Sequence, residues 1–178
     1  MEKDKTSVVY GRDVMEFVTV VVEYCAFLEQ AAGKERLAFV DTLTKLLPLL
    51  YLKASLLPKY EILNEAYYSE DFVTEEDYNI VRTHIYNIMG EKDDYLDVFV
   101  EDMKYSESPI LATVSENLAD IYQELKNFAM RYKNAADEEE MMNVLADVKE
   151  EFQYSWGQKV VNVMRALHEV RYAEEDEY

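Results

Sequence analysis

The fold is decided by residues 137–170, which read DEEEMMNVLADVKEEFQYSWGQKVVNVMRALHEV. Asp137 has the position of a helix N-cap, and the acids that follow it favour the positive end of the helix dipole. Behind this cap, apolar residues recur at helical spacing for about thirty residues. They are Met141, Val144, Leu145, Val148, Phe152, Trp156, Val160, Val163, Leu167 and Val170. The stretch therefore predicts a long amphipathic C-terminal helix.

Four earlier segments also have helical patterns. Their predicted starts, in chain order, are Asp13, Lys34, Thr74 and either Ser108-Pro109 or Ser115. Asp13 and Glu16 have capping-box spacing, and Gly33 and Gly90 are predicted to end the first and third helices. Pro48 is expected to kink or restart the second helix, because it lacks a backbone donor. Residues 57–73 are predicted to be irregular, and the alternation in residues 95–100 permits a short strand or a helical turn.

Composition bounds the class of protein. Four Gly and three Pro in 178 residues are too few for the many tight turns of a barrel, a sandwich or a nucleotide-binding α/β fold. We expect one all-α domain over residues 1–178, a bundle of about five to six helices. Residues 12–172 would form the ordered bundle, and residues 173–178 would be an acidic tail.

Charge and cysteine content exclude several functions. The formal net charge is −19, so the surface repels nucleic acid. The single Cys25 cannot form an internal disulfide, and the N-terminus lacks the pattern of a secretory signal. The longest apolar stretches are shorter than the roughly 18 residues that span a bilayer. We therefore expect a cytoplasmic protein that binds neither nucleic acid nor a membrane.

Two stretches resemble a known family. They are residues 118–126, LADIYQELK, and residues 152–157, FQYSWG, followed by RALH at 165–168. Together they are similar to the bacterial domain-of-unknown-function family 5063, and weaker similarity covers residues 23–29, 47–51 and 73–78. The resemblance implies a mostly helical bacterial domain. It implies no activity, substrate or cofactor.

The predicted helices present a second, polar face. At about 100° per residue, Gly157, Arg165 and His168 lie roughly 160° from the apolar stripe of the last helix. Asp120 points away from the apolar side of the fourth helix, so we predict that it pairs with Arg165 or His168. Such a pairing is more commonly a structural salt bridge that fixes the packing of helices. The candidate interaction cluster comprises Asp120, Tyr122, Trp156, Gly157, Arg165 and His168.

Signatures of catalysis are weak. His84 and His168 lack the Glu-x-x-His spacing of a di-iron bundle, and Cys25 lies on an apolar stripe, where a thiol behaves as a small hydrophobe. A ladder of carboxylates could hold Mg²⁺, as in an all-α nucleotide pyrophosphohydrolase, although the spacing of that family is not reproduced. Its members are Glu116, Asp120 and Glu124, with Asp147, Glu150 and Glu151 on the last helix. No cofactor and no metal are predicted.

Three functions stay open. The first is a non-enzymatic interaction or adaptor domain that binds a protein partner or associates with itself; the fifteen Tyr suit such a surface. The second is a metal-dependent hydrolase of nucleotides or phosphates that uses the carboxylate ladder. The third is an acidic mimic of nucleic acid that binds basic proteins.

Overall fold

Helices dominate the fold. The computed structural model describes residues 7–61, 66–97 and 110–173. The α-helices within these ranges are α1 (Arg12–Glu29), α2 (Arg36–Ser55), α3 (Glu75–Met89), α4 (Val114–Asn134), α5 (Glu138–Glu151) and α6 (Gly157–Tyr172). A π-helical turn, Phe152–Trp156, joins α5 to α6 into one helical run from residue 138 to residue 172. The predicted all-α class and the long C-terminal helix are confirmed.

Four helices enclose the hydrophobic core as a ring. Helix α1 contacts α2 and α4, and α6 contacts the same two helices from the other side. Helices α3 and α5 both pack on α4, outside this ring. Helix α2 therefore has α1 and α6 as its main neighbours. No helix in the described ranges is long and apolar enough to cross a membrane.

Two predicted helix starts are confirmed by their caps. Thr74 Oγ1 accepts the Asp77 N–H at 3.1 Å, and Asp77 Oδ2 accepts the Thr74 N–H at 3.1 Å, which closes a capping box at α3. Asp137 Oδ1 accepts the Glu140 N–H at 2.9 Å at the start of α5. Gly90, with φ +54°, ends α3 as expected. Both starts can be identified from the sequence alone, because each has a short polar side chain at the N-cap and an acid three residues later.

The start of α1 differs from the prediction. The helix begins at Arg12 with Gly11 as its N-cap, so Asp13 lies inside the first turn. Glu16 does not complete a capping box, because its carboxylate pairs with Arg12 Nε at 2.7 Å and with Lys53 Nζ at 2.6 Å. Two cations thus draw the carboxylate away from the backbone. This helix also ends before Gly33, at Glu29.

The start of α4 depends on contacts distant in sequence. Thr113 is the N-cap and accepts the Glu116 N–H at 3.2 Å, while Ser115 lies within the helix. The buried Asp93 carboxylate accepts the Ser115 N–H at 2.8 Å and the Ser115 hydroxyl at 2.7 Å. The alternative start at residues 108–109 lies outside the described residues.

A short antiparallel pair precedes α4. Strand β1 (Asp94–Leu96) pairs with β2 (Leu111–Thr113), and Tyr95 lies opposite Ala112. The alternation that starts at Tyr95 thus belongs to a strand in the described part, while residues 98–100 lie outside it.

The predicted irregular connection holds for residues 57–61 and 66–73, which contain no helix or strand. Helix α2 continues through Pro48 and does not restart there. The predicted tail falls largely on residues 174–178, which also lie outside the described part.

Candidate functional site

The structure gives Asp120 different partners from those predicted. Asp120 Oδ2 accepts a hydrogen bond from Lys159 Nζ at 2.7 Å, and Oδ1 accepts one from the Tyr78 hydroxyl at 2.7 Å. The predicted pairing with Arg165 or His168 is therefore wrong. Asp120 links α4 to α3 and α6 instead.

Arg165 and His168 lie on the exposed side of α6. The Arg165 guanidinium donates to the backbone carbonyl of Leu96 in β1. The His168 ring lies 4.8 Å from the ring of Tyr172, one turn further along the helix. These two residues are thus separated from Asp120 and are accessible to solvent.

Trp156 and Gly157 are buried at the π-helical turn. Trp156 is completely buried, stacks on Phe17 with ring centroids 6.4 Å apart, and donates from Nε1 to the Val148 carbonyl at 3.2 Å. The Gly157 N–H donates to the Phe152 carbonyl, five residues earlier. A Cβ at position 157 would lie 2.2 Å from that oxygen. The close approach at Gly157 therefore comes from Phe152 of the same chain.

Tyr122 belongs to a second polar triad. Its hydroxyl donates to Glu29 Oε1 at 2.9 Å, and Lys126 Nζ lies 2.6 Å from the same oxygen. The triad borders a cleft of about 330 Å³ between α1, α3 and α4. The other lining side chains are mostly apolar: Phe72, Val73, Ile80, Val81 and Met130, with Asp77 at the rim.

The two triads have the same chemistry. In each, one carboxylate accepts a tyrosine hydroxyl and a lysine ammonium. Burial and the hydrogen bond to Asp120 raise the pKa of Tyr78, and burial and the bond to Glu29 do the same for Tyr122. Both tyrosines therefore stay protonated at neutral pH and act as donors. The triads suit the joining of helices better than proton transfer.

The carboxylate ladder does not assemble into a metal centre in the described ranges. No group of three His, Cys, Asp or Glu side chains among those residues is close enough to hold a metal ion. Asp120 is occupied by Tyr78 and Lys159, while Glu124 is half-buried. Burial, the nearby Glu151 and Asp147 raise the pKa of Glu124. The ladder is thus a set of separate carboxylates, and burial raises the pKa of two of them, Glu124 and Asp147.

Cys25 has the environment of a core residue. Its side chain is 3% exposed, and burial raises the pKa of the thiol to about 12. A thiol with that pKa is protonated at neutral pH and is a poor nucleophile. Its position on the apolar side of α1 agrees with the expected packing role.

An exposed apolar stripe on α2 was missed by the sequence prediction. Leu49, Leu52 and Leu56 are 41%, 50% and 49% exposed, on the side of α2 that faces away from the core. We call these three leucines the α2 ridge. Tyr51, at the edge of the ridge, contacts Phe152 edge-on with ring centroids 5.0 Å apart. A helix that carries leucine on all sides is a signal of such a second apolar face.

Comparison with known proteins places the chain in a family. A crystal structure of protein BF1032 from Bacteroides fragilis is 44% identical, covers 97% of this chain and 100% of that chain, and superposes with a TM-score of 0.82. No functionally curated protein gives a significant match. Residues 8–173 match the family described as "Domain of unknown function (DUF5063)". The resemblance expected from residues 118–126 and 152–168 is thus confirmed, and the chain belongs to the DUF5063 family.

Proposed function

We propose that this protein is a non-enzymatic, cytoplasmic adaptor that binds a partner protein through the α2 ridge. The supporting observation is the exposure of three leucines on one solvent-facing stripe, each about half accessible. Contiguous exposed apolar surface on a folded domain marks an interaction site more often than it serves stability. The ridge therefore suits a protein partner.

The position of the ridge supports this proposal. Leu47, Leu50 and Ala54 are completely buried, so the inner side of α2 already supplies the core. At about 100° per residue, the ridge is centred roughly 160° from that inner side. Its leucines at offsets 0, 3 and 7 form a continuous stripe of two helical turns. Core packing therefore gives no reason for leucine at these positions.

Two residues of the predicted cluster, Arg165 and His168, lie on the exposed side of the helix that packs beside α2. Helix α6 packs beside α2, and its exposed side carries Arg165, His168 and Val161, of which Val161 is 50% exposed. We include Arg165 and His168 in the proposal as flanking polar contacts, because interface rims are usually polar. The contribution of Asp120, Tyr122, Trp156 and Gly157 would be to hold the helices in place.

Site-specific photo-crosslinking in cells tests the proposal. A photoreactive phenylalanine replaces Leu52 in one sample and Ile80 in the control, since Ile80 on α3 is similarly exposed at 47%. We expect a discrete adduct from position 52 that disappears when Leu49 and Leu56 are both changed to Ser. The absence of an adduct from position 52, or the same adduct from both positions, would refute the proposal.

A further inference from the structure

Acidic residues are absent from the segment of α2 that carries the ridge. Residues 42–60 contain no Asp or Glu and three Lys, whereas 37 acids among 178 residues correspond to about four in any 19. Residues 152–168, which cover the π-helical turn and most of α6, are also free of acids. Because α2 packs against α6, these two segments form one side of an otherwise acidic molecule.

The carboxylates that border the ridge are neutralised by more than one cation each. On the α1 side, Glu16 pairs with Arg12 and Lys53, and these contacts lower the pKa of Glu16 to about 2. On the α6 side, Asp41 pairs with Lys45 at 2.6 Å and with Arg171 at 2.9 Å. The Asp41 cluster thus keeps one positive charge in excess, whereas Asp13 beside Arg12 balances the Glu16 cluster. The α6 side of the ridge is therefore locally positive, and its α1 side is balanced.

Further cations continue this positive region beyond the end of α2. Lys59 and Lys149 line a cavity of about 320 Å³ together with Tyr60 and Tyr154, and among its charged lining residues these two lysines meet one carboxylate, Glu150. The Lys149 ammonium donates to the backbone carbonyl of Leu57. Lys59 is exposed and forms no ion pair with a described residue. The ridge therefore lies between Lys45 at one end and Lys59 at the other.

We infer that the α2 ridge binds an acidic amphipathic helix of a partner protein; this inference rests on the proposed function. Leu49 and Leu56 are seven residues apart, about 10 Å along the helix, which matches apolar anchors two turns apart on a docked helix. Acidic residues flanking those anchors would face Lys45 and Lys59. The local excess of positive charge selects this partner over a basic one, because surface charges act mainly within about 8 Å at physiological salt.

A second copy of the chain fits the ridge less well. In a two-fold arrangement each ridge would meet its own copy, so Lys45 and Lys59 would approach the same lysines of the other copy. The net charge of −19 on each copy adds repulsion at longer range. The same net charge disfavours an anionic membrane. The local and global charges therefore point to a partner that is acidic only where it touches the ridge.

Binding of designed peptides to the full chain tests the charge preference. Three helical peptides share one leucine face, with spacing 0, 3 and 7, and differ only in having Glu, Gln or Lys on the flanks. We expect the Glu peptide to bind at least about tenfold more tightly than the Gln peptide in fluorescence anisotropy, and the Lys peptide more weakly than both. Added salt should reduce the difference between the peptides.

Matched variants test whether the preference for acidic peptides depends on the lysines at the two ends of the ridge. Changing Lys45 and Lys59 together to Glu should reverse the order of the Glu and Lys peptides, whereas Lys133→Glu, on α4, should leave it unchanged. Leu52→Ser should weaken all three peptides. Circular dichroism would show that each variant keeps its helical content, since the altered side chains are exposed.

Each of the following outcomes would overturn the inference. Equal binding of the Glu and Lys peptides would remove the charge argument, and so would a preference that survives the two lysine changes. A dimer in sedimentation equilibrium that Leu52→Asp abolishes would assign the ridge to a second copy. If crosslinking from position 52 persists while the Glu peptide does not bind, the inference fails and the proposed adaptor function stands. If crosslinking also fails, both are wrong.

Discussion

Replacing Gly157 by Ala tests the π-helical turn that joins α5 to α6. The added Cβ would lie 2.2 Å from the Phe152 carbonyl oxygen and 2.9 Å from two ring carbons of Phe152. Ordinary van der Waals contact for a Cβ is 3.4–4 Å, so the overlap exceeds 1 Å. Because one of the opposing atoms belongs to the backbone, the turn itself must move. The movement would reach Trp156, which is completely buried.

The expected cost follows from three contributions. Alanine gains about 1 kcal/mol over glycine in a helix interior. Overpacking in a well-packed region costs about 1–3 kcal/mol, and loss of the hydrogen bond from the Gly157 N–H to Phe152 costs about 1 kcal/mol. The net result is a free energy of unfolding lower by roughly 2 kcal/mol. For a chain of this length, that is a fall in Tm of about 4–8 °C.

Urea unfolding followed by far-UV circular dichroism measures this change. The control is Gly11→Ala, because Gly11 has φ −60° and its added Cβ would meet its nearest neighbour at 3.5 Å. We expect the Gly11 variant to lie within about 1 kcal/mol of the unaltered protein, with an unchanged m value. A Gly157 variant as stable as the Gly11 variant would show that the turn relaxes freely, and the steric argument would be wrong.

Other variants test the charged contacts. Asp93→Ala should lower the free energy of unfolding by about 2–3 kcal/mol, since it removes the acceptor of the buried Ser115 N–H and hydroxyl. The control is Asp94→Ala, which changes an exposed side chain and should leave the free energy of unfolding nearly unchanged. Thermal melts of both variants measure the difference. Glu124→Gln should stabilise the protein at pH 7, because burial and nearby acids raise the pKa of that carboxyl and its ionisation disfavours folding. The gain should vanish below about pH 4, and a gain that grows with acid would contradict it. In double-mutant cycles, Asp120→Asn should couple to Lys159→Gln by about 0.5–1 kcal/mol and should be additive with Arg165→Gln; the reverse result would restore the predicted pairing.

Local sequence signals were sufficient to predict most of the helices. The caps at Thr74 and Asp137 are identifiable because donor and acceptor are only three residues apart. The start of α4 was harder to predict, because its first turn is fixed partly by Asp93, which is 22 residues from Ser115. The N-cap of α1 was placed two residues late, at Asp13 instead of Gly11, and Lys53 on another helix competes for the Glu16 carboxylate that the predicted capping box needed.

The candidate cluster depended on a uniform helical period, and this assumption fails at the π-helical turn. A π turn places one extra residue in the helix, so directions calculated across it are offset by about 100°. Gly157, predicted on an outer polar face, is buried against Phe152. Arg165 and His168 do remain exposed, but Lys159 occupies the position opposite Asp120. The sequence thus indicated that Arg165 and His168 are exposed, but it did not indicate that Lys159 pairs with Asp120.

Apolar content alone does not distinguish the exposed leucines of the α2 ridge from the buried leucines of the same helix. Leu49 and Leu50 are adjacent and chemically identical, yet only Leu50 is buried. The difference depends on which helices surround α2, and that is a property of the ring of α1, α2, α4 and α6. The absence of acids from residues 42–60 was visible beforehand and marks the same surface.

The intrinsic fluorescence of Trp156 can report on local opening of the protein. It is the sole tryptophan of the chain, and it lies in the dry interior at the junction of two helical segments. Its emission should therefore be shifted to the blue while this junction is intact and should move to the red when water enters. Time-resolved quenching by acrylamide would then follow local opening of the long helix without any label.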